Sequence, residues 1–326
     1  MARLIVSVIV GAEPDLVLKC VGSLLVAAGR TLDVRVRVTC NAANPAVAKQ
    51  LAARFPGIAL SENVVPTGFA ANHNAALADA DGDYLLLAND DLEFQSDAVE
   101  RSIEFLERHE NSRVGSLSPR LLNPDGSLQR STYGFPTVPR ALLDLSGLRA
   151  RIPHNRWTDR VASWLGYDAG RSRFWAHDRT CDVDTFRGAA MFVRAATWRE
   201  VGRLSERTRV GGEIAEWHRR CRNDGWRVVF FSDATVIHYG SRTVGRDRLL
   251  RSEYLKGYLV YFALHRSGIT WWCFRGGAFV VAVVRLALAA LSGDRIGTRL
   301  WRTNVSILLA PPRPTANAKS PAGVAA

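Results

Sequence analysis

Cysteine is scarce in this chain and acidic residues are in deficit. The 326 residues include five cysteines, Cys20, Cys40, Cys181, Cys221 and Cys273, an odd number without a CxxC pair. A disulfide framework or a structural zinc site is therefore not expected, and a reducing compartment fits. Asp and Glu total 31 against 43 Lys and Arg, a formal net charge of +12. Such an excess calls for an anionic partner: nucleic acid, anionic lipid or a phosphorylated substrate. No internal repeat is present, which sets solenoids and propellers aside. No small-residue cleavage site follows the short apolar run at 4–10, which meets Glu13-Pro14-Asp15. A buried first strand is expected there rather than a secretory leader. With 47% hydrophobic and 23% charged residues, the chain is neither disordered throughout nor collagen-like. Its length allows two domains, or one long α/β domain with a substantial core.

In the first half, apolar runs at 4–10, 34–39, 58–61, 84–88 and 114–118 read as strands, and stretches at 16–28, 46–54, 69–80 and 98–109 read as helices. Strands alternating with helices imply crossover connections and a largely parallel sheet. Residues 133–180 hold Pro136, Pro139 and Pro153 without clear periodicity. They read as a variable insertion, either a substrate lid or a surface excursion with its own small core. Strands are expected again at 182–186, 189–193, 227–231 and 235–238, with helices near 195–201 and 213–223. The tail after Pro311 is Pro/Ala-rich and is expected to be disordered.

Asn89-Asp90-Asp91 follows an apolar strand directly. Ligands of open α/β sheets bind outside the carboxyl ends of the strands, and paired carboxylates there need solvent, hydrogen bonds or a cation. A hard divalent ion, which usually carries substrate phosphates as well, is one partner; a turn leading into the helix at 98 is the other reading. Upstream, Asn63 to Asn74 packs Gly68, a helix start and several amides into one segment. Helix-start N–H groups favour anions, and asparagine side chains can read a sugar or a base.

These segments resemble the inverting family-2 glycosyltransferases of GT-A fold, especially a bacterial rhamnosyltransferase-like branch. Val6-Ser7-Val8-Ile9-Val10 looks like the first strand, and Asn63, Gly68-Phe69, Asn72 and Asn74 look like an N-x-G-F-x-x-x-N-x-N segment. Residues 82–91 look like the strand ending in a DXD-type metal motif, and 119–129 like a P-x-L-L-x-P-D-G-S-x-Q hairpin. Gly188-Ala189-Ala190-Met191 and Gly225-Trp226 through His238-Tyr239-Gly240-Ser241 match two later motifs. The resemblance covers roughly residues 4–245, and it is the order and spacing of individually weak motifs that make it specific.

The resemblance implies a Rossmann-like, mostly parallel central sheet flanked by helices and a nucleotide-sugar donor. It also implies a divalent metal, Mn or Mg, held by Asp91 with His238 as a further ligand. Asp90 is then expected in the shell of the metal or against the donor ribose, and Glu13, Asn41, Gly68, Asn72 and Asn74 along the donor. The chain departs from the family pattern at three places. Cys40 stands at a usual Asp position, Glu13 near a usual Asn, and Ile214 where a carboxylate usually acts as base. Glu213 and Glu216 flank Ile214 and are helix neighbours. Glu213 is the first candidate for the base, and Glu216 the second, with an i,i+4 pair to Arg220 as its ordinary alternative.

From 249 the composition turns apolar and basic, with runs at 258–264, 271–274 and 278–291 among Lys256, Arg266, Arg275, Arg285 and Arg295. Arginine near mid-membrane costs about 2.5–3.5 kcal/mol. Interfacial helices on an anionic inner leaflet are therefore expected rather than a span, with a helical subdomain packed on the catalytic domain as the alternative. The resulting division is a transferase domain at 1–245, a membrane-associating helical extension at 246–310 and a tail at 311–326. The expected protein is a cytoplasmic transferase, peripheral on the inner face of the cell membrane, acting on a glycan or polyprenyl-linked acceptor in polysaccharide or cell-wall synthesis. A non-catalytic scaffold is the alternative that Ile214 raises. A nucleic-acid partner is not expected, because the arginines are spread and no reader motif is present.

Overall fold

The computed structural model describes residues 1–11, 14–148, 157, 177–240 and 251–310. Glu13, the tail and much of the 133–180 insertion lie outside the described residues. The first half runs β1 (Ala2–Val10), α1 (Pro14–Ala27), β2 (Leu32–Asn41), α2 (Pro45–Arg54), β3 (Ala59–Asn63), α3 (Phe69–Ala76), β4 (Tyr84–Asn89), β5 (Leu92–Phe94) and α4 (Ala98–Glu107). Then come β6 (Val114–Leu122), β7 (Leu128–Gln129), β8 (Thr132–Tyr133), α5 (Val138–Ser146), β9 (Cys181–Asp182), β10 (Thr185–Phe186) and β11 (Ala190–Arg194). The chain continues through α6 (Ala195–Val201), α7 (Glu213–Asn223), β12 (Arg227–His238), α8 (Arg251–His265), α9 (Gly268–Leu291) and α10 (Arg295–Leu309).

The main sheet has the order β3-β2-β1-β4-β11-β6-β12-β5. Neighbours β3-β2, β2-β1, β1-β4 and β6-β12 are parallel, whereas β11 and β5 run antiparallel. Both faces are covered, so the central strands read as continuous apolar runs rather than alternating ones. Leu4, Val6, Val8 and Val10 pack under α1, α2 and α4; Ile5, Leu85 and Leu87 face α3, α6 and α7. The strands expected at 227–231 and 235–238 are one strand, β12. Ser232-Asp233-Ala234 reads as a break because Asp233 is polar, but the register shifts between Phe231 and Thr235 and the strand continues. The strand expected at 182–186 is split into β9 and β10.

The C-terminal helices form a third core, in which Leu255, Leu259 and Phe262 of α8 meet Phe274, Ala278 and Ala282 of α9 and Leu300 and Trp301 of α10. Ala141 of α5 joins this cluster, so part of the expected insertion packs with the C-terminal helices. Helix α8 also touches the catalytic layer. Gly257 lies against the Gly211-Gly212 turn that opens α7, and a Cβ there would collide with the Gly211 carbonyl oxygen. Glu253 accepts from the Arg209 amide at 3.3 Å.

A paired substitution tests this contact. Gly257→Ala should destabilise the protein by about 1–3 kcal/mol, as overpacking against backbone does. Gly276→Ala in α9, which has nothing within 4 Å of its Cβ position, should stabilise by about 0.5–1 kcal/mol through helix entropy. Denaturant titrations of both variants would show opposite signs.

Candidate active site

The carboxyl ends of β4 and β12 meet at the site. His238 closes β12 opposite Leu92 in the β12–β5 ladder, which places it beside Asp91 in the turn between β4 and β5. The Asp91 carbonyl accepts from the Tyr239 amide at 2.9 Å. The Asp91 side chain is buried, and neither of its oxygens has a hydrogen-bond partner among the described residues. His238 Nε2 is likewise buried and unpartnered, 3.3 Å from Asp91 Oδ1. Burying an ionised carboxylate without compensation is costly. A hard cation between carboxylate and imidazole would satisfy all three atoms, so the residues fit one. Among the described residues no group of three or more His, Cys, Asp and Glu side chains forms a protein cage. Mg²⁺-type sites commonly use one or two carboxylates and take the rest from substrate phosphates and water.

His238 and Asn89 open onto a cleft of about 810 Å³, whose other walls include Phe69, Arg187, Glu213 and Ile214. Glu213 begins α7 behind Gly212. It is buried, its Oε2 has no partner, and burial pushes its carboxyl up to about 7, against backbone hydrogen bonds at Glu213 and Gly211 that lower it. A carboxyl titrating near neutrality in a cleft suits general acid–base work. Ile214 also lines the cleft while packing into the core beneath α7.

Glu216 lies elsewhere. Both of its oxygens bind Arg220 at 2.9 Å, and His265 of α8 approaches Oε1 at 3.1 Å. Burial would raise its carboxyl, but the hydrogen bonds from His265 and Arg220 outweigh burial and hold it below the usual range. The i,i+4 pair is the role the structure gives it, and it does not line the cleft.

The expected donor residues divide. Asp90 Oδ2 accepts from the Gly11 amide at 2.8 Å and so holds the end of β1. Asn41 exchanges two hydrogen bonds with the Thr67 backbone, at 2.9 and 3.1 Å. Asn72 accepts from Asn63 at 2.6 Å and Thr67 at 2.8 Å and donates to the Gly68 carbonyl at 2.9 Å. Gly68 admits the Arg209 backbone, which a Cβ would meet at 2.8 Å, and the Phe69 amide donates to the Arg209 carbonyl. That first amide of α3 is thus committed within the protein rather than open to an anion. Asn74 is buried, donating to the Leu204 carbonyl and Glu206 and accepting from the Leu204 amide. These bonds tie α3 to the 204–206 segment.

Some cleft residues were not read as such from the sequence. Tyr254, Tyr258 and Tyr261 of α8 line it, with Tyr133 and Arg140 from the insertion. The four- and three-residue spacing of the tyrosines marks one helix face and was the available signal; their position in an apolar, basic stretch masked it.

Comparison with known proteins bears on the family and the fold. Residues 2–256 match the family described as "Glycosyltransferase like family 2". The N-acetylglucosaminyl-diphospho-decaprenol L-rhamnosyltransferases of two Mycobacterium tuberculosis strains are 25% identical over 195 residues, covering 58% of this chain and 57% of each relative. The O-antigen biosynthesis protein RfbC of Myxococcus xanthus is 25% identical over 203 residues, covering 60% of this chain but 14% of that protein. The chain thus spans little more than half the length of the tuberculosis relatives. Among solved structures, a Pyrobaculum calidifontis mannosyltransferase in complex with GDP-Man and Mn²⁺ superposes with a TM-score of 0.53 at 15% identity, covering 94% of this chain and 81% of that one. GalNAc-T7 with UDP, GalNAc and Mn²⁺ gives 0.55 at 12% identity, covering 80% and 50%. With the family match running over residues 2–256, the chain belongs to glycosyltransferase family 2 and is a glycosyltransferase of GT-A fold.

Proposed function

We propose that the protein is an inverting, metal-dependent transferase that moves a sugar from a nucleotide donor to a lipid-linked acceptor. The observation that carries this reading is the cleft shared by His238, which lies beside the buried Asp91, and the raised carboxyl of Glu213. Asp91 and His238 would hold Mn²⁺ or Mg²⁺, as the Mn²⁺ in both structural neighbours supports. A bound cation would neutralise charge developing on the leaving diphosphate. Glu213 Oε2 takes the proton of the acceptor hydroxyl, and the buried start of α7 fixes its direction. The relatives' names support L-rhamnose as the sugar and a polyprenyl diphosphate glycan as the acceptor.

Attachment to an anionic membrane surface from the cytoplasmic side completes the proposal. Helix α9 has 24 residues and is long and apolar enough to cross a bilayer, but its two faces differ. Ile269, Trp272, Val280, Val283, Val284, Leu288 and Leu291 are exposed along one side. Arg275 and Arg285 point the other way: Arg275 donates to the Leu308 carbonyl at 2.9 Å, and Arg285 lies 5.5 Å from the Trp301 ring centre. At the end of α9, Arg295, Arg299 and Arg302 line an exposed groove. An apolar face beside a basic rim fits a helix lying in the headgroup region.

Three outcomes are expected. Glu213→Gln should lower the transfer rate by about 10²–10⁴-fold with donor affinity little changed, as loss of a general base does. Glu216→Gln should act mainly on stability. Single-turnover rates and thermal shifts with donor separate the two, and equal small effects on rate in both variants would favour a non-catalytic scaffold.

The second outcome concerns pH. The folded Glu213 carboxyl binds its proton more tightly than the unfolded one, so the native state loses stability as pH rises from about 4.5 to about 7. Across that window wild type should lose up to about 3 kcal/mol relative to Glu213→Gln, readable from denaturant midpoints.

The third outcome concerns the membrane. Val280→Asp with Val284→Asp should abolish flotation with vesicles containing anionic lipid while leaving the donor-induced thermal shift in place. Flotation that persists would place attachment elsewhere.

A further inference from the structure

We propose that Gln129 is a positioning residue that fixes His238 in the Nδ1–H tautomer, so that Nε2 presents its lone pair toward Asp91. The inference rests on the cation reading of that pair and assigns a role to the 123–129 hairpin, which the mechanism above leaves unused.

The argument is a chain of hydrogen bonds whose directions are forced one after another. Asp125 Oδ1 accepts from the Ser127 amide at 2.9 Å and from the Ser127 hydroxyl at 2.6 Å. A carboxylate only accepts, so the serine proton points to Asp125 and Ser127 Oγ is left as an acceptor. Asn123 Nδ2 fills that place at 2.9 Å. The Asn123 amide is thereby oriented, and its Oδ1 faces Gln129 Nε2 at 2.9 Å. Gln129 Nε2 also donates to the His238 carbonyl at 3.3 Å. Reversing the glutamine amide would set its oxygen against two oxygens, so its orientation follows from the network. Gln129 Oε1 must then face His238 Nδ1, which it does at 2.6 Å. An amide oxygen cannot donate, so Nδ1 carries the proton. In the neutral ring the lone pair belongs to Nε2, the atom 3.3 Å from Asp91 Oδ1.

Backbone pairing holds the chain of bonds in register. Gln129 pairs with Leu121 and Leu128 with Leu122, and the Asn123 amide donates to the Ser127 carbonyl at 2.8 Å. The hairpin thus reaches the end of β12 as a rigid arm from the neighbouring strand β6. Partners of this kind orient a metal-binding imidazole and set its tautomer, and their loss typically weakens metal affinity by about 10–100-fold.

The test reads the tautomer directly. Nitrogen-15 NMR of the full, metal-free chain labelled in histidine, at alkaline pH where imidazoles are neutral, distinguishes protonated from unprotonated ring nitrogens. A His238→Gln spectrum identifies the His238 signals. Wild type should show Nδ1 protonated. Gln129→Leu should shift His238 toward the Nε2–H form and weaken Mn²⁺ binding, measured as free Mn²⁺ by electron paramagnetic resonance, about 10–100-fold. Gln129→Glu keeps the acceptor but loses the donor, so it should retain the Nδ1–H tautomer and Mn²⁺ binding despite lower thermal stability. A merely structural role would lower stability in both variants and leave the tautomer unmoved. Nδ1–H persisting in Gln129→Leu, or lost equally in both variants, overturns the proposal. A wild type that binds no Mn²⁺ even with a nucleoside diphosphate would sink the metal reading, while the spectra would still decide the role of Gln129.

Discussion

Two groups that would both accept a hydrogen bond face each other across 3.3 Å at the ends of β4 and β12, buried beside the cleft. That opposition is the constraint around which the rest of the site is arranged. Asp91 cannot withdraw, because its carbonyl is bound to the Tyr239 amide and its neighbour Asp90 is tied to Gly11. His238 cannot rotate away without losing Gln129. A buried carboxylate with no donor among the described residues is an expensive feature for a fold to keep, and a cation held there would remove the expense. The sheet order brings the pair together: β12 lies between β6 and β5, so the first half of the chain supplies the acid and the second half the imidazole.

The C-terminal helices belong to this arrangement more closely than their composition suggests. Helix α8 touches α7 at both ends of its first turn, through Gly257 on Gly211-Gly212 and through His265 on Glu216. Its tyrosines wall the same cleft that Glu213 faces. The family match itself runs to residue 256, inside α8, so the tyrosine-bearing helix begins within the matched region. The cleft is thus completed by a helix whose neighbours, α9 and α10, present an apolar face and a basic rim outward.

The fold was legible because strand signals survive burial: the runs at 4–10 and 84–88 are apolar on both faces and bounded by turns. Asp91 and His238 stand out in the sequence because one follows a strand closely and the other closes one, each within a recognisable motif. The different placing of Glu213 and Glu216 follows helix geometry, since the residue behind two glycines starts the helix and lines the cleft while the one a turn later pairs with Arg220. The asparagines are harder to read. Amides at 41, 72 and 74 look equally free in a sequence, yet whether one contacts a ligand or another loop depends on partners such as Leu204 and Glu206, about 130 residues away in the case of Asn74. Gln129 was visible as a motif letter but not as a function, because its role depends on the direction of a proton three bonds along a network.

Ile214 shows why an acid position can be vacated without dismantling the site. Its side chain packs among Trp217, Phe186 and Met191 beneath α7 while one surface faces the cleft. An apolar residue there removes a nearby carboxylate and adds to the low-polarity wall around Glu213. The first change favours ionisation by removing repulsion, whereas the second disfavours it by burial, and burial is the leading cause that brings Glu213 to about 7. A base with that affinity for protons removes one from a hydroxyl more readily than an ordinary glutamate would. Ile214 is therefore compatible with the proposed role of Glu213, the neighbouring acid on the same cleft.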